Sequence, residues 1–267
     1  MGDKTPIERF YDYGAETYVR RKAHVVSARL SRRMILETVL NLPLGPGPWQ
    51  ILDAGGGGGL LAAELAVAGH HVCIADISGD MLNQALQHVT ASGVKERVEL
   101  VKADVCDLGT LGERQFDLVL AVGDVLSYCA TPEAALREFR RLTRPGAMLL
   151  VEVESRFGGI HGWRRGRQLD EIYRTFQAGQ AAPPGWPSVT IRLFEPSEFR
   201  LLLQKADWRI CSQWPGSICW ALLGSRALQE FGRTHEGFER LLEMERTLRK
   251  IPELQAAGGD LQFLAAR

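Results

Sequence analysis

With 267 residues, 45% of them hydrophobic, the chain is long enough for one large α/β domain with a full core and a small cap. Lys+Arg and Asp+Glu both number 32, so the formal net charge is zero, which argues against a dedicated nucleic-acid binder with its clearly basic surface. The five cysteines (Cys73, Cys106, Cys129, Cys211, Cys219) are odd in number and widely spaced, with neither a disulfide framework nor zinc-ligand spacing. That usage, the lack of an apolar run near the roughly 18–20 residues of a membrane span, and an N-terminus without an apolar signal core predict a reducing, cytoplasmic setting.

Segment 1–45 reads as an N-terminal helical lid. Phe10, Tyr11, Tyr13 and Tyr18 lie among polar residues, and Val25, Val26, Leu30, Met34, Ile35, Thr38 and Val39 keep a helical period over about 15–40. Arg20, Arg21, Lys22, Arg29, Arg32 and Arg33 fill the other positions as a solvated face. Residues 43–48, rich in Gly and Pro, lead to the first strand.

The remainder, 46–267, alternates strands and helices. The first strand holds Ile51 and Leu52, a helix starts over 60–68, and 71–76 is a second strand. Ser78 caps a helix with Met81, Leu82, Ala85, Leu86 and Val89 inward, stopped by Gly93. Residues 98–103 and 116–122 are further strands, Thr131-Pro132 opens a helix, Arg144-Pro145-Gly146 closes that unit, and 147–153 is a fifth strand. An irregular insertion, 155–187, contains Arg164, Arg165 and Arg167, a short helix near 168–178 and a Pro-rich end; such an insertion at the carboxyl edge of a sheet suits a substrate wall. Residues 189–194, a helix over 196–206 and 208–214 return to the core. A long helix at about 225–250, within a helical insertion at 225–255, offers an oligomer face for a homodimer, and 260–266 is the last strand. This alternation predicts an α/β fold, doubly wound, mostly parallel and Rossmann-like, with helices on both faces and ligands at the carboxyl ends of the strands.

The chain is organised around residues 49–59, Trp-Gln-Ile-Leu-Asp-Ala-Gly-Gly-Gly-Gly-Gly, a strand and a glycine turn running into a helix N-terminus whose free N–H groups make a nest for an anionic group. Gly57, Gly59 and Ala62 satisfy a loose G-x-G-x-x-G/A dinucleotide fingerprint. The other register, Asp53-x-Gly55-x-Gly57-x-Gly59, sets an acid in the strand two residues before the first glycine, of no obvious use to a pyrophosphate but suited to a ligand with an ammonium group. In that register the chain resembles the class I S-adenosylmethionine-dependent methyltransferases, whose first motif is D-x-G-x-G-x-G. The resemblance covers 49–154 and, loosely, the C-terminal strands. It implies a seven-stranded sheet whose last strand lies antiparallel beside the sixth, and S-adenosylmethionine as cofactor. A long helix between those two strands is a departure from the family.

Asp76 ends the second strand, 21 positions after Gly55, placed to accept both hydroxyls of a ribose; a surface acid preceding a helix is the plainer alternative. At Asp104 the resemblance implies a carboxylate for an adenine amine, with the Val105 backbone N–H beside it; otherwise Asp104 starts a turn. One acid at each of three strand ends, Asp53, Asp76 and Asp104, favours a cation over a doubly phosphorylated nucleotide. The resemblance carries Asp53, Gly55, Gly57, Gly59, Asp76 and Asp104 over as cofactor positions, with Met81 and Val105 as apolar walls and Ile77, Val122 and Gly123 counted with them. Tyr11, Tyr13 and Tyr18 either fold over the cofactor as an aromatic lid, attractive to a sulfonium, or pack the first helix; Tyr13 is the one assigned to the cofactor.

Residues 121–128 follow the fourth strand, where the family places its motif beside the methyl group. The N-P-P-Y or D-P-P-Y tetrapeptide of base-modifying enzymes and a Pro-Cys nucleophile are absent, and Cys129 reads as an inert buried thiol. Asp124 and Tyr128 either orient an acceptor or are satisfied polar residues. His161 is the only histidine in a site position and the candidate general base. No metal site is expected.

The expected function is methyl transfer from S-adenosylmethionine to nitrogen or oxygen of a small molecule by in-line displacement, with positioning supplying about 7–11 kcal/mol of the acceleration. An NAD(P)-dependent oxidoreductase, opposed by Asp53 and by the lack of a Tyr-x-x-x-Lys pair, and a non-catalytic S-adenosylmethionine-binding module are the alternatives. A nucleic-acid acceptor and a membrane partner are not expected.

Overall fold

The computed structural model describes residues 4–158, 168–183 and 185–267. Seven strands form one sheet in the order β3 (Val98–Lys102), β2 (His71–Asp76), β1 (Gln50–Ala54), β4 (Phe116–Ala121), β5 (Thr143–Glu154), β9 (Asp260–Ala266) and β8 (Arg209–Gly216). The first five are parallel, and β9 runs antiparallel to both β5 and β8. Strand order reverses between β1 and β4, which opens a crevice at the carboxyl ends where such sheets take their ligands. The expected fold class is the observed one.

Alternation along the strands builds two cores, because successive side chains leave a strand on opposite faces. Leu52, Val119, Leu149 and Phe263 join one cluster with Phe139 of α6 (Pro132–Arg141) and Phe199 of a helix at Pro196–Lys205. Ile51, Leu118 and Leu150 join the other, with Val39 of α2 (Val26–Leu40), Leu65 of α3 (Leu60–Val67) and Ala85 of α4 (Gly79–Ala91). Both faces are therefore covered, as a parallel sheet requires.

Several boundaries differ from expectation for local reasons. The single N-terminal helix is two: α1 (Pro6–His24) and α2 part at Val25, whose ψ of 129° is extended. Residues 189–194 contribute no strand to the main sheet. β7 (Ile191–Arg192) pairs instead with β6 (Gln180–Ala181) in a two-stranded ribbon, tied to the sheet through a bridge from Phe194 to Ser155. Leu86 is 41% exposed rather than inward. The helix over 225–250 is two helices, Ile218–Phe231, kinked at Gly224, and His235–Leu248, whose start is capped by the Thr234 side chain. Both pack on α2 through Cys219, Leu228, Phe238, Leu241 and Leu242 against Val26, Leu30 and Met34.

That side core depends on one acid. Buried Glu245 accepts the N–H groups of Ile218 and Cys219, each at 2.8 Å, and so satisfies the start of the Ile218–Phe231 helix. Glu245→Gln replaces one acceptor with a donor; we expect a loss of about 1–3 kcal/mol, read as a Tm lowered by roughly 2–10 °C in thermal denaturation.

Candidate active site

The glycine turn after β1 is held open by close packing. Gly55, Gly57 and Gly59 have φ of 72°, 52° and 70°, a region costly for other residues. A Cβ on Gly55 would stand 2.4 Å from a Val125 methyl carbon, and one on Gly58 2.3 Å from a Val19 methyl carbon, so α5 (Val125–Tyr128) and α1 rest directly on this backbone. Beside Gly57 there is free space, with Met81 Sδ 4.0 Å from the place of a Cβ. Here the turn faces a cavity of about 550 Å³, within the usual size range of small-molecule sites.

Acids sit at the strand ends as expected, in three different roles. Asp76 lines the cavity, and its carboxylate accepts the Gly57 and Ser78 N–H groups, each at 2.9 Å. Burial pushes it up to about 6 despite those bonds. Asp104 lines the cavity too, but β3 ends at Lys102 and Asp104 opens a turn, its Oδ1 accepting the Cys106 N–H at 2.8 Å. Asp53 does not reach the cavity. It is 2% exposed behind Gly56, where a Cβ would lie 2.6 Å from Asp53 Oδ2, and that oxygen has no hydrogen-bond partner. Burial, with the Asp76 charge nearby, pushes Asp53 up to about 7.

Ile77, Met81, Val105, Gly123 and Tyr128 line the cavity alongside Gly55 and Gly57. Gly59 and Val122 support it from outside: Gly59 precedes α3 and its Cα faces Ala85, and Val122 packs in the core. Tyr13 is corrected. It is 85% exposed and edges against Trp186, while Tyr11 and Tyr18, elsewhere on α1, are the tyrosines lining the cavity. Tyr11 meets Tyr18 and Tyr128 at 5.8 and 5.9 Å, and Phe10 stacks on Tyr128, so α1 roofs the site with aromatic rings. Polar bonds clamp that roof: Ser78 Oγ donates to Asp12 at 2.5 Å, Lys102 pairs with Glu8 at 2.7 Å, and Lys4 pairs with Asp12.

Asp124 has φ 68° and an Oδ1 without a partner, and it does not line the cavity. Burial, with Asp260, Glu154 and Glu152 nearby, pushes it well above the usual carboxylate value. Burial likewise raises Tyr128 and Tyr11, which keep their phenolic protons. His161 lies outside the described residues. Sequence reasoning missed Ser127, Gln180, Thr190 and Arg192 on the cavity wall. Arg192 pairs with Glu198 at 2.7 Å and lies over the Phe194 ring at 4.7 Å. Its only sequence signal was one cation between Ile191 and Leu193, too short a pattern to place.

Asp53 generates a pH test. Its folded pKa lies above the unfolded one, so its contribution is fully present at low pH and is lost as pH rises from about 4 to about 7. We expect wild-type stability, measured by urea denaturation, to fall over that range by an amount on the order of a few kcal/mol that Asp53→Asn does not lose.

Residues 51–146 match the family model described as a methyltransferase domain. The tRNA 5-carboxymethoxyuridine methyltransferase of Escherichia coli (strain K12) is 27% identical over 251 residues, covering 89% of this chain and 88% of that protein. In fold, the CcbJ methyltransferase from Streptomyces caelestis matches with a TM-score of 0.63, 17% identity and 99% of both chains. The Burkholderia thailandensis 1,6-didemethyltoxoflavin-N1-methyltransferase, solved with its acceptor and S-adenosylhomocysteine, matches with a TM-score of 0.60, 18% identity, and 98% and 87% of the two chains. The open backbone at Gly57, the acids at two neighbouring strand ends and the apolar wall of Met81 and Val105 fit an adenosyl sulfonium, and with the matched domain they identify the chain as a class I S-adenosylmethionine-dependent methyltransferase.

Proposed function

We propose that this enzyme methylates a carboxylate oxygen, and that the carboxylate belongs to a carboxymethoxy-modified uridine in tRNA. The observation that carries the first half is the state of the candidate bases on the described cavity wall, where Asp104, beside Val105, accepts the Cys106 N–H. Tyr11 and Tyr128 are held protonated, and so is the Cys129 thiol, raised by its hydrogen bond with Cys106 and by burial. Asp76 is committed to two backbone N–H groups. A hydroxyl acceptor would need a base, whereas a carboxylate arrives deprotonated at neutral pH. Arg192 supplies a guanidinium on the same wall, the group best shaped to hold a carboxylate by two parallel hydrogen bonds.

S-adenosylmethionine, when bound, supplies a methyl group on a sulfonium that leaves readily. The chain's task is then alignment. Arg192 and the Tyr128 hydroxyl orient the acceptor, Asp76 holds the ribose through the capacity its two backbone bonds leave free, and the aromatic roof of α1 excludes water. The uridine acceptor rests on the E. coli relative, which aligns along nearly its whole length and carries that substrate in its name. A balanced net charge argued against nucleic acid, but charge governs the non-specific, salt-dependent part of RNA affinity rather than entry of one nucleotide into a pocket. The same balance, with the enclosure of the cavity, favours a second reading in which the acceptor is a free small acid.

Methyl-labelled S-adenosylmethionine and tRNA bearing 5-carboxymethoxyuridine test both readings. Label should enter the RNA and be released by mild alkali, as a methyl ester is, and tRNA without the carboxyl group should take none. Transfer to the free carboxymethoxyuridine nucleoside alone assigns the small acid; alkali-stable label rules out carboxylate methylation altogether. Arg192→Gln should raise the acceptor KM by about 10–100-fold with the S-adenosylhomocysteine Kd unchanged. Turnover should stay flat from about pH 7 to 9, without the rising limb of a hydroxyl acceptor.

A further inference from the structure

The balanced charge of the whole chain hides one lopsided stretch. Residues 17–36 hold six Lys and Arg residues (Arg20, Arg21, Lys22, Arg29, Arg32 and Arg33) and no Asp or Glu. They cover the last turns of α1 and most of α2. Arg20 and Arg21 are exposed. Arg21 lies over the Tyr18 ring at 5.6 Å, and Tyr18 lines the cavity, which sets that guanidinium at the cavity rim. Arg32 joins the two helices there, its Nη1 donating to the Lys22 carbonyl oxygen at 3.2 Å. Arg29, Arg32 and Arg33 then line a second groove, of about 410 Å³, with residues of α3 and α4. Two of these cations are committed, Arg32 to Glu64 at 2.9 Å and Arg33 to Glu37 at 3.0 Å. Among the described residues no carboxylate pairs with Arg20, Arg21 or Arg29, the last lying over the Phe238 ring at 4.4 Å.

We propose that this face, from Arg20 and Arg21 at the cavity rim to Arg29 in the groove, docks the sugar–phosphate backbone of the RNA acceptor, an inference that rests on the tRNA reading above. A nucleotide inserted into the cavity stays joined to its neighbours by phosphates, so negative charge follows the strand out over the rim. Guanidinium groups without a protein partner meet it there at no cost in broken ion pairs, and the gain comes from counterions released from the RNA. Five of the six cations are Arg, whose planar fork matches a phosphate by paired hydrogen bonds where a Lys offers only a point charge. Arg32 and Arg33, held by Glu64 and Glu37, brace the groove instead. Contacts of this kind position the strand and read no sequence, which leaves recognition of the modified uridine to the cavity. Local rather than total charge sets the field an approaching strand meets, so a net charge of zero is no obstacle. An anionic membrane also offers phosphates, but in a plane, whereas these cations run from a cavity rim into a groove.

The test compares the full-length wild-type protein with the double variant Arg20→Gln, Arg21→Gln and with Arg29→Gln. Filter retention of tRNA bearing 5-carboxymethoxyuridine is measured across a salt series, and S-adenosylhomocysteine binding by calorimetry. We expect the double variant to weaken tRNA binding by about 10–100-fold and Arg29→Gln by about 5–20-fold. Each lost phosphate contact should flatten the slope of log Kd against log salt by about 0.7–0.9. The Kd for S-adenosylhomocysteine should not move in any variant, which shows the fold intact, and Arg29→Lys, which keeps the charge, should keep the slope. Variants that bind tRNA with unchanged affinity and slope, beside a wild type that methylates it, overturn this surface and leave the acceptor reading standing. A wild type that neither binds nor methylates tRNA overturns the acceptor reading and this surface with it. Substitutions that abolish binding to phosphatidylglycerol vesicles while tRNA affinity holds assign the face to a membrane and overturn RNA docking.

Discussion

The structure depends on a carboxylate that ties the end of one strand to the turn after its neighbour. Asp76 takes an N–H from Gly57, in the turn after β1, and another from Ser78, the residue whose hydroxyl caps α4 by accepting the Met81 N–H. These bonds fix the glycine turn against β2 and aim its open side at the crevice where strand order reverses. The packing then has little freedom: Val125, Val19 and Ala85 occupy the space that side chains at Gly55, Gly58 and Gly59 would need. Gly55, Gly58 and Gly59 are thus a condition for three helices, α5, α1 and α4, to converge on one backbone segment.

Convergence creates an electrostatic problem that burial resolves through protons. Asp53 and Asp76 stand close under the turn, and Asp124, Glu152, Glu154 and Asp260 gather where β4 and β5 end and β9 begins. Charged together, the second group would repel strongly. Burial raises Asp124, Asp260 and Glu154, the last to about 7, and Lys22 from α1 supplies one compensating cation. Glu152 has direct partners, the Gly123 N–H at 2.9 Å and the Gln262 side-chain amide at 2.8 Å. Raising these acids lets the cluster stay buried without several full negative charges held out of water.

The doubly wound core was legible because it repeats: each strand is a short apolar run, each helix has a cap or a stop, and Asp53-x-Gly55-x-Gly57-x-Gly59 marks the crevice. Ser78, Thr131-Pro132 and Gly93 fell where their chemistry placed them. What failed was decided at long range. Tyr11, Tyr13 and Tyr18 share one helix and one composition; only the register of α1 on Gly58 turns two of them inward and one to solvent. The 189–194 run has strand character in either sheet, and its placement depends on pairing with Gln180–Ala181, which carries no strand pattern.

The same division explains why the cofactor was easier to read than the acceptor. Cofactor positions lie on the repeating half, at strand ends whose spacing the fold dictates. The other cavity-lining positions come from α1 and from the segment around the ribbon β6–β7, elements that meet only in the folded chain. A cavity roofed by α1 sets a steric condition on any RNA acceptor: its target nucleotide must leave the base stack to enter, as in other enzymes that do chemistry on a base. The roof and the ribbon are thus the parts of the cavity wall that the repeating sheet does not dictate.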